Sequence, residues 1–138
     1  MNILFLCVGN SARSQIAEGL AKTMFDKNHN IQSAGSIPAR TVHPNAVATM
    51  NAIGIDISDQ YSKSIDDLDK DFLENLDYVI TLCAEEFCPI FNNNVKKLHW
   101  ANEDPDNENF SEIQLKNAFN KTRENIYNLI KKFLIENL

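Results

Sequence analysis

Two hydrophobic periods alternate along this chain. Ile3-Leu4-Phe5-Leu6 is a short continuous apolar run, the pattern of a strand buried on both faces. The polar turn Gly9-Asn10-Ser11 follows, and then Ile16, Ala17, Leu20 and Met24 recur at helical spacing as far as Phe25. Ser11 or Ser14 is the expected cap of this helix, with Glu18 near its positive end. Asn30–Gly35 predicts a second strand. His43–Ile53 predicts a helix with Pro44 in its first turn and Gly54 just past its end. Asp66–Asn75 has the pattern of a short helix. Tyr78–Leu82 is a third buried strand with Cys83 at its carboxyl end, and Lys97–Trp100 is a fourth. A last helix is predicted from about Ser111 to Asn137, with Ile126, Leu129, Ile130, Phe133 and Leu134 on one face. Strands alternating with helices imply an α/β fold: three layers, α/β/α, around a central four-stranded parallel sheet.

The length of 138 residues is that of one domain, so residues 1–138 are expected to form a single unit with its own core. Hydrophobic residues make up 43% and charged residues 23%, which is too apolar for intrinsic disorder. The net charge of −6 lacks the basic footprint of a nucleic-acid binder. Ile3 to Val8 is too short to span a membrane and lacks the flanks of a signal peptide. A cytoplasmic, monomeric protein with no membrane or nucleic-acid partner is therefore expected. Three cysteines in a reducing compartment cannot form an even disulfide framework, so they point to chemistry or burial. His29, His43 and His99 are scattered without metal-ligand spacing, and no metal or cofactor is expected; each reads as a surface or capping residue.

Chemistry concentrates after the first strand. In open parallel sheets, ligands bind beyond the carboxyl ends of strands. Cys7-Val8-Gly9-Asn10-Ser11-Ala12-Arg13-Ser14 stands there as Cys, five residues, Arg, Ser. Backbone N–H groups of such a loop form a nest for an anion, and the next helix adds its positive end. Arg13 fits two oxygens of a tetrahedral oxyanion as a fork. The same field stabilises a Cys7 thiolate, and Gly9 is expected to take the unusual backbone angles of the cradle. Val8, Gly9, Asn10, Ser11, Ala12, Arg13 and Ser14 are thus the candidate oxyanion-binding residues. Ser14 is a candidate donor to Cys7 and Asn10 a candidate brace for the loop, although either could be a helix cap.

Cys83 and Cys88 are a pair separated by Ala-Glu-Glu-Phe. One pair falls short of the four ligands of a structural zinc site. Spacing alone leaves two ordinary free thiols as the simpler reading.

The stretches Cys-Val-Gly-Asn-Ser-Ala-Arg-Ser-Gln-Ile-Ala-Glu-Gly at 7–19, Ser-Ala-Gly at 33–35, Val-Ile-Thr-Leu-Cys at 79–83, Cys-Pro-Ile at 88–90, Val-Lys-Lys-Leu-His-Trp at 95–100 and Asp104-Pro105 occur in order along nearly the whole chain. In these the sequence resembles the low-molecular-weight protein tyrosine phosphatase fold family, and within it the thioredoxin-coupled arsenate reductases. The resemblance implies arsenate as substrate, Cys7 as nucleophile, Asp104 as general acid, and a disulfide relay from Cys7–Cys83 to Cys83–Cys88 that thioredoxin reduces. A helix rises about 7.5 Å over five residues. A disulfide needs Cα atoms roughly 4.4–6.8 Å apart. A helical Cys83–Cys88 segment could not close that bond, so residues 84–88 and the loop after them are expected to rearrange when Cys83 and Cys88 join. Glu18 and Ser33 match positions that help some relatives hold potassium, but the further acidic ligand of those relatives aligns with Lys63. An ammonium there argues against the ion.

Two other functions compete. A tyrosine phosphatase needs Cys7, Arg13 and Asp104 but neither later cysteine. Phosphatases of this family carry an aromatic after the Asp-Pro step, where this chain has Asp106. A non-catalytic phosphate sensor would tolerate serine at position 7.

Overall fold

The computed structural model describes residues 1–83 and 94–137. The strands are β1 (Asn2–Cys7), β2 (Asn30–Gly35), β3 (Tyr78–Cys83) and β4 (Lys96–Asn102). The helices are α1 (Arg13–Met24), α2 (Pro44–Asn51), α3 (Lys70–Glu74) and α4 (Glu112–Asn137). The strands form one parallel sheet in the order β2-β1-β3-β4.

Alternation along the strands divides two apolar layers. Ile3 and Phe5 of β1 and Ile80 and Leu82 of β3 face a cluster with Ile16 and Leu20 of α1, Met50 of α2, and Phe119, Ile126, Ile130 and Phe133 of α4. Leu4, Leu6 and Val79 face the other way, against Leu68, Phe72 and Leu76. The expected α/β/α layering is what the chain adopts. Close fit between layers shows at Gly19, where a Cβ would stand 2.6 Å from Ile57 and 2.9 Å from Met50. On α4, Phe119, Thr122, Ile126, Ile130 and Phe133 form the buried stripe, while Leu129 and Leu134 flank it half-buried.

Several local expectations need correction. Neither Ser11 nor Ser14 caps α1. Its N-cap is Ala12, with no side-chain cap bond, because Ser11 donates to the Thr41 carbonyl (3.1 Å) and Ser14 is held by the Cys7 sulfur (2.8 Å). Glu18 lies beyond the first turn of that helix. The single helix expected over 66–75 is two pieces, a 3-10 turn at Ile65–Asp67 and α3. Ser64 and Asp67 cap the first reciprocally, Asp69 caps the second, and Leu68 between them is extended and buried. The second helix ends at Asn51 rather than Ile53, with Gly54 at φ 81° beyond it. Ser111 and Gln114 bond reciprocally at the start of α4. Strand β4 runs two residues past Trp100, whose half-buried ring sits 6.2 Å from those of Phe5 and Phe133.

The chain leaves β1 toward β2 on one side and returns to β3 on the other. The sheet order therefore reverses between β1 and β3, where ligands bind in folds of this type. Cys7 ends β1 and Cys83 ends β3, so the switch point carries two thiols.

Candidate active site

The loop from Val8 to Ala12 is shaped from outside. The segment after β2 draws its carbonyls outward: Ile37 N–H donates to Val8 O (2.9 Å), Ala39 N–H to Gly9 O (2.8 Å) and His43 N–H to Ser11 O (2.9 Å). No described peptide bond is cis. Across a trans peptide the next N–H opposes the carbonyl, so the amides of Gly9, Asn10 and Ala12 turn the opposite way, as an anion nest requires. Gly35 is needed alongside, since a Cβ there would stand 2.5 Å from Val8 O and 2.9 Å from Asn10 N.

The strained backbone position is Asn10, at φ 46°, and not Gly9. Gly9 was expected to supply the unusual angles, but a short polar side chain can hold a left-handed conformation through its own hydrogen bonds. Asn10 does so from full burial. Its Oδ1 accepts from Gln15 Nε2 (2.9 Å) and Lys63 N (3.0 Å), and its Nδ2 donates to Ser14 Oγ (2.7 Å) and Ser33 Oγ (2.9 Å).

From this hub the network runs two ways. Ser14 Oγ, accepting from Asn10, has its proton left for Cys7 Sγ at 2.8 Å. Ser33 Oγ donates to Glu18 Oε1 (2.6 Å), whose other oxygen accepts from Lys22 (2.6 Å). Lys63 Nζ, also buried, stands 3.6 Å from Glu18 Oε1.

The Cys7 thiol is lowered to about 6 by a hydrogen bond from Cys83, by Ser14 and by the Arg13 charge, against the opposing effect of burial. Cys83 moves the other way. The proton it shares with Cys7, its burial and the Cys7 charge all raise it. Its sulfur also accepts the Val8 N–H at 3.1 Å. Arg13 is buried and fixed by donation to the Asn102 carbonyl at the end of β4 (2.7 Å).

Cys7, Gly9, Ser11, Ala12 and Arg13 line one cavity of about 100 Å³ together with His43, Asp104 and Asp106. Of the expected site residues, these line the cavity while Asn10 and Ser14 lie buried beneath the loop and Val8 faces Cys83. Asp104 is also in a turn, accepting from Asp106 N–H (2.9 Å). Cys88 lies outside the described residues. The sequence marks His43 only as a surface or capping residue and Asp106 only as the replacement of an aromatic, because nothing local makes a capping histidine part of a cavity built from a segment some 60 positions away. A larger cleft of about 400 Å³ between α2 and α4 holds none of this chemistry.

The model of the low molecular weight phosphotyrosine protein phosphatases matches residues 2–138. The chain belongs to that family. An arsenate reductase of Bacillus subtilis strain 168 is 44% identical over 133 residues, covering 95% of this chain and 93% of the relative. An arsenate reductase solved in its oxidised state is 36% identical, with TM-score 0.73 over 96% of this chain and 98% of the other. A thioredoxin-dependent arsenate reductase of Corynebacterium glutamicum superposes with TM-score 0.70 at 29% identity over 97% of this chain, which spans 62% of that protein's length.

The resemblance implies that Glu18 and Ser33 match potassium-binding positions of some relatives; in this chain the Lys63 ammonium faces the Glu18 oxygen to which Ser33 donates. A second cation there would meet a like charge at close range in a buried setting. Among the described residues no group of three His, Cys, Asp or Glu side chains is arranged to hold a metal. Among them, too, no helix is long and apolar enough to cross a membrane.

Proposed function

We propose that this protein reduces arsenate to arsenite through Cys7, Cys83 and Cys88, with thioredoxin as the final reductant, acting as a monomer in the cytoplasm. The observation that carries this reading is a second buried thiol, Cys83 at the carboxyl end of β3, whose sulfur accepts the N–H of Val8 next to Cys7 in the oxyanion loop (3.1 Å). Phosphate-ester hydrolysis has no use for a second thiol there.

The opposite shifts of the two thiols order the steps. Cys7 is ionised at neutral pH and Cys83 keeps its proton, so Cys7 attacks first. Arsenate sits in the nest with Arg13 across its oxygens, and one oxygen departs as water, protonated by Asp104. The new S–As bond removes the negative charge on Cys7. That charge and the shared proton were causes of the raised Cys83 value, so Cys83 is released to ionise only after the first step. Its thiolate attacks Cys7 Sγ, and the S–As electron pair passes to arsenic, which leaves as arsenite. The two thiols supply the two electrons and become the Cys7–Cys83 disulfide. Cys88 then attacks Cys83, freeing Cys7 as thiolate, and thioredoxin's dithiol reduces the Cys83–Cys88 disulfide.

The test is NADPH oxidation with thioredoxin, thioredoxin reductase and arsenate. The expected result is oxidation that requires both arsenate and thioredoxin and disappears in Cys83→Ser, while any p-nitrophenyl phosphate hydrolysis survives that change. Robust ester hydrolysis with no arsenate-dependent NADPH oxidation would establish a phosphatase instead.

A further inference from the structure

His43 touches three parts of the site at once. Its backbone N–H holds the Ser11 carbonyl of the oxyanion loop (2.9 Å). Its Nδ1 accepts the Asn45 N–H (3.0 Å) as the N-cap of α2. Its Nε2 stands 3.3 Å from Asp106 Oδ1. Because Nδ1 accepts, the proton of the neutral ring sits on Nε2, which faces the Asp106 carboxylate. The ring is further fixed against Phe119 of α4, with centroids 4.7 Å apart.

The turn it meets is the one that carries Asp104. Asp106 N–H donates to Asp104 Oδ1 (2.9 Å), Asn109 N–H to Asn107 Oδ1 (2.9 Å) and Phe110 N–H to Asn107 O (3.0 Å). These three bonds are internal to the turn and none of them sets its place relative to Cys7. The His43–Asp106 contact does, because the histidine is tied to the Cys7 loop at its own backbone. All of Cys7, Arg13, His43, Asp104 and Asp106 line the same cavity.

We propose that His43 is a positioning residue for the general acid: through Asp106 it holds the Asp104 turn over the Cys7 loop. The inference rests on the proposed acid role of Asp104.

Two substitutions separate the roles of the two ring nitrogens. His43→Asn keeps an acceptor for the Asn45 N–H, as asparagine is a good N-cap, but is too short to reach Asp106. His43→Gln places a donor where Nε2 was and loses the cap. Steady-state arsenate reduction by His43→Asn is expected to show kcat down on the order of tenfold, a part of what a general acid contributes, with KM within about twofold. His43→Gln is expected to recover most of that kcat while melting a few degrees lower. In an Asp104→Asn background, His43→Asn is expected to cost nothing further. Full kcat in His43→Asn, no recovery in His43→Gln, or an undiminished loss in the Asp104→Asn background would each overturn the assignment while leaving the acid role standing. Full kcat in Asp104→Asn alone would remove the acid role, and this inference with it.

Discussion

Lys63 Nζ and Glu18 Oε1 stand 3.6 Å apart beneath the oxyanion loop, with both side chains buried. Burial draws the Lys63 ammonium below its ordinary value and the Glu18 carboxylate opposes that. The carboxylate is thus compensated from within the chain, by Lys63 and Lys22. Replacing potassium by sodium at fixed ionic strength is expected to leave the melting temperature and arsenate turnover essentially unchanged. A saturable rise in melting temperature specific to potassium would show that the ammonium does not fill this role.

Ser14 donates to the Cys7 sulfur, and the thiol titrates at about 6. The thiolate fraction therefore rises as pH passes upward through that value. Alkylation of the Cys7 peptide by iodoacetamide, followed by mass spectrometry, should follow the same curve. Ser14→Ala removes a donor that favours the charged form, so its curve is expected at higher pH, with slower alkylation at pH 6. An unshifted curve would mean that Ser14 does not stabilise the thiolate.

Gly35 and Gly9 border the same loop with opposite tolerances. Gly35→Ala would press a methyl to 2.5 Å from Val8 O, whereas at Gly9 the nearest atoms are 3.9 Å away and φ is not positive. Gly35→Ala is expected to lose about 1–3 kcal/mol of stability and at least about tenfold in activity, as overpacking against backbone does. Urea unfolding of the two alanine variants should find Gly9→Ala the milder. The reverse order would contradict the loop geometry.

What could be read from the sequence was what is local in it. Ile3–Leu6 and Tyr78–Leu82 show buried strands by their own composition, and Cys7, Arg13 and Ser14 sit at fixed offsets on one turn. The misplaced helix cap has a physical cause: Ser14 is a good cap, but a buried thiolate draws its hydroxyl away. Helical periodicity over 66–75 cannot register that Leu68 leaves the helix to enter the core. The contacts that shape the site are distant in sequence, such as Val8 with Cys83, Asn10 with Lys63 and His43 with Asp106, and a single chain carries no signal for those pairings.

Cys7→Ser is expected to keep the fold and some oxyanion binding while losing arsenate reduction and any phosphatase activity, since the alkoxide of serine is far harder to form than a thiolate. Activity retained in the purified variant would remove Cys7 from the nucleophile role. Far-ultraviolet circular dichroism and phosphate titration check the fold and the binding.

The relay is tested most directly by peptide mapping after one arsenate turnover in Cys88→Ser. The account predicts one equivalent of arsenite, a trapped Cys7–Cys83 disulfide, and no sustained turnover with thioredoxin. It also predicts that Cys83→Ser forms no such species. Sustained thioredoxin-dependent turnover by Cys88→Ser, with no Cys7–Cys83 peptide, would contradict it.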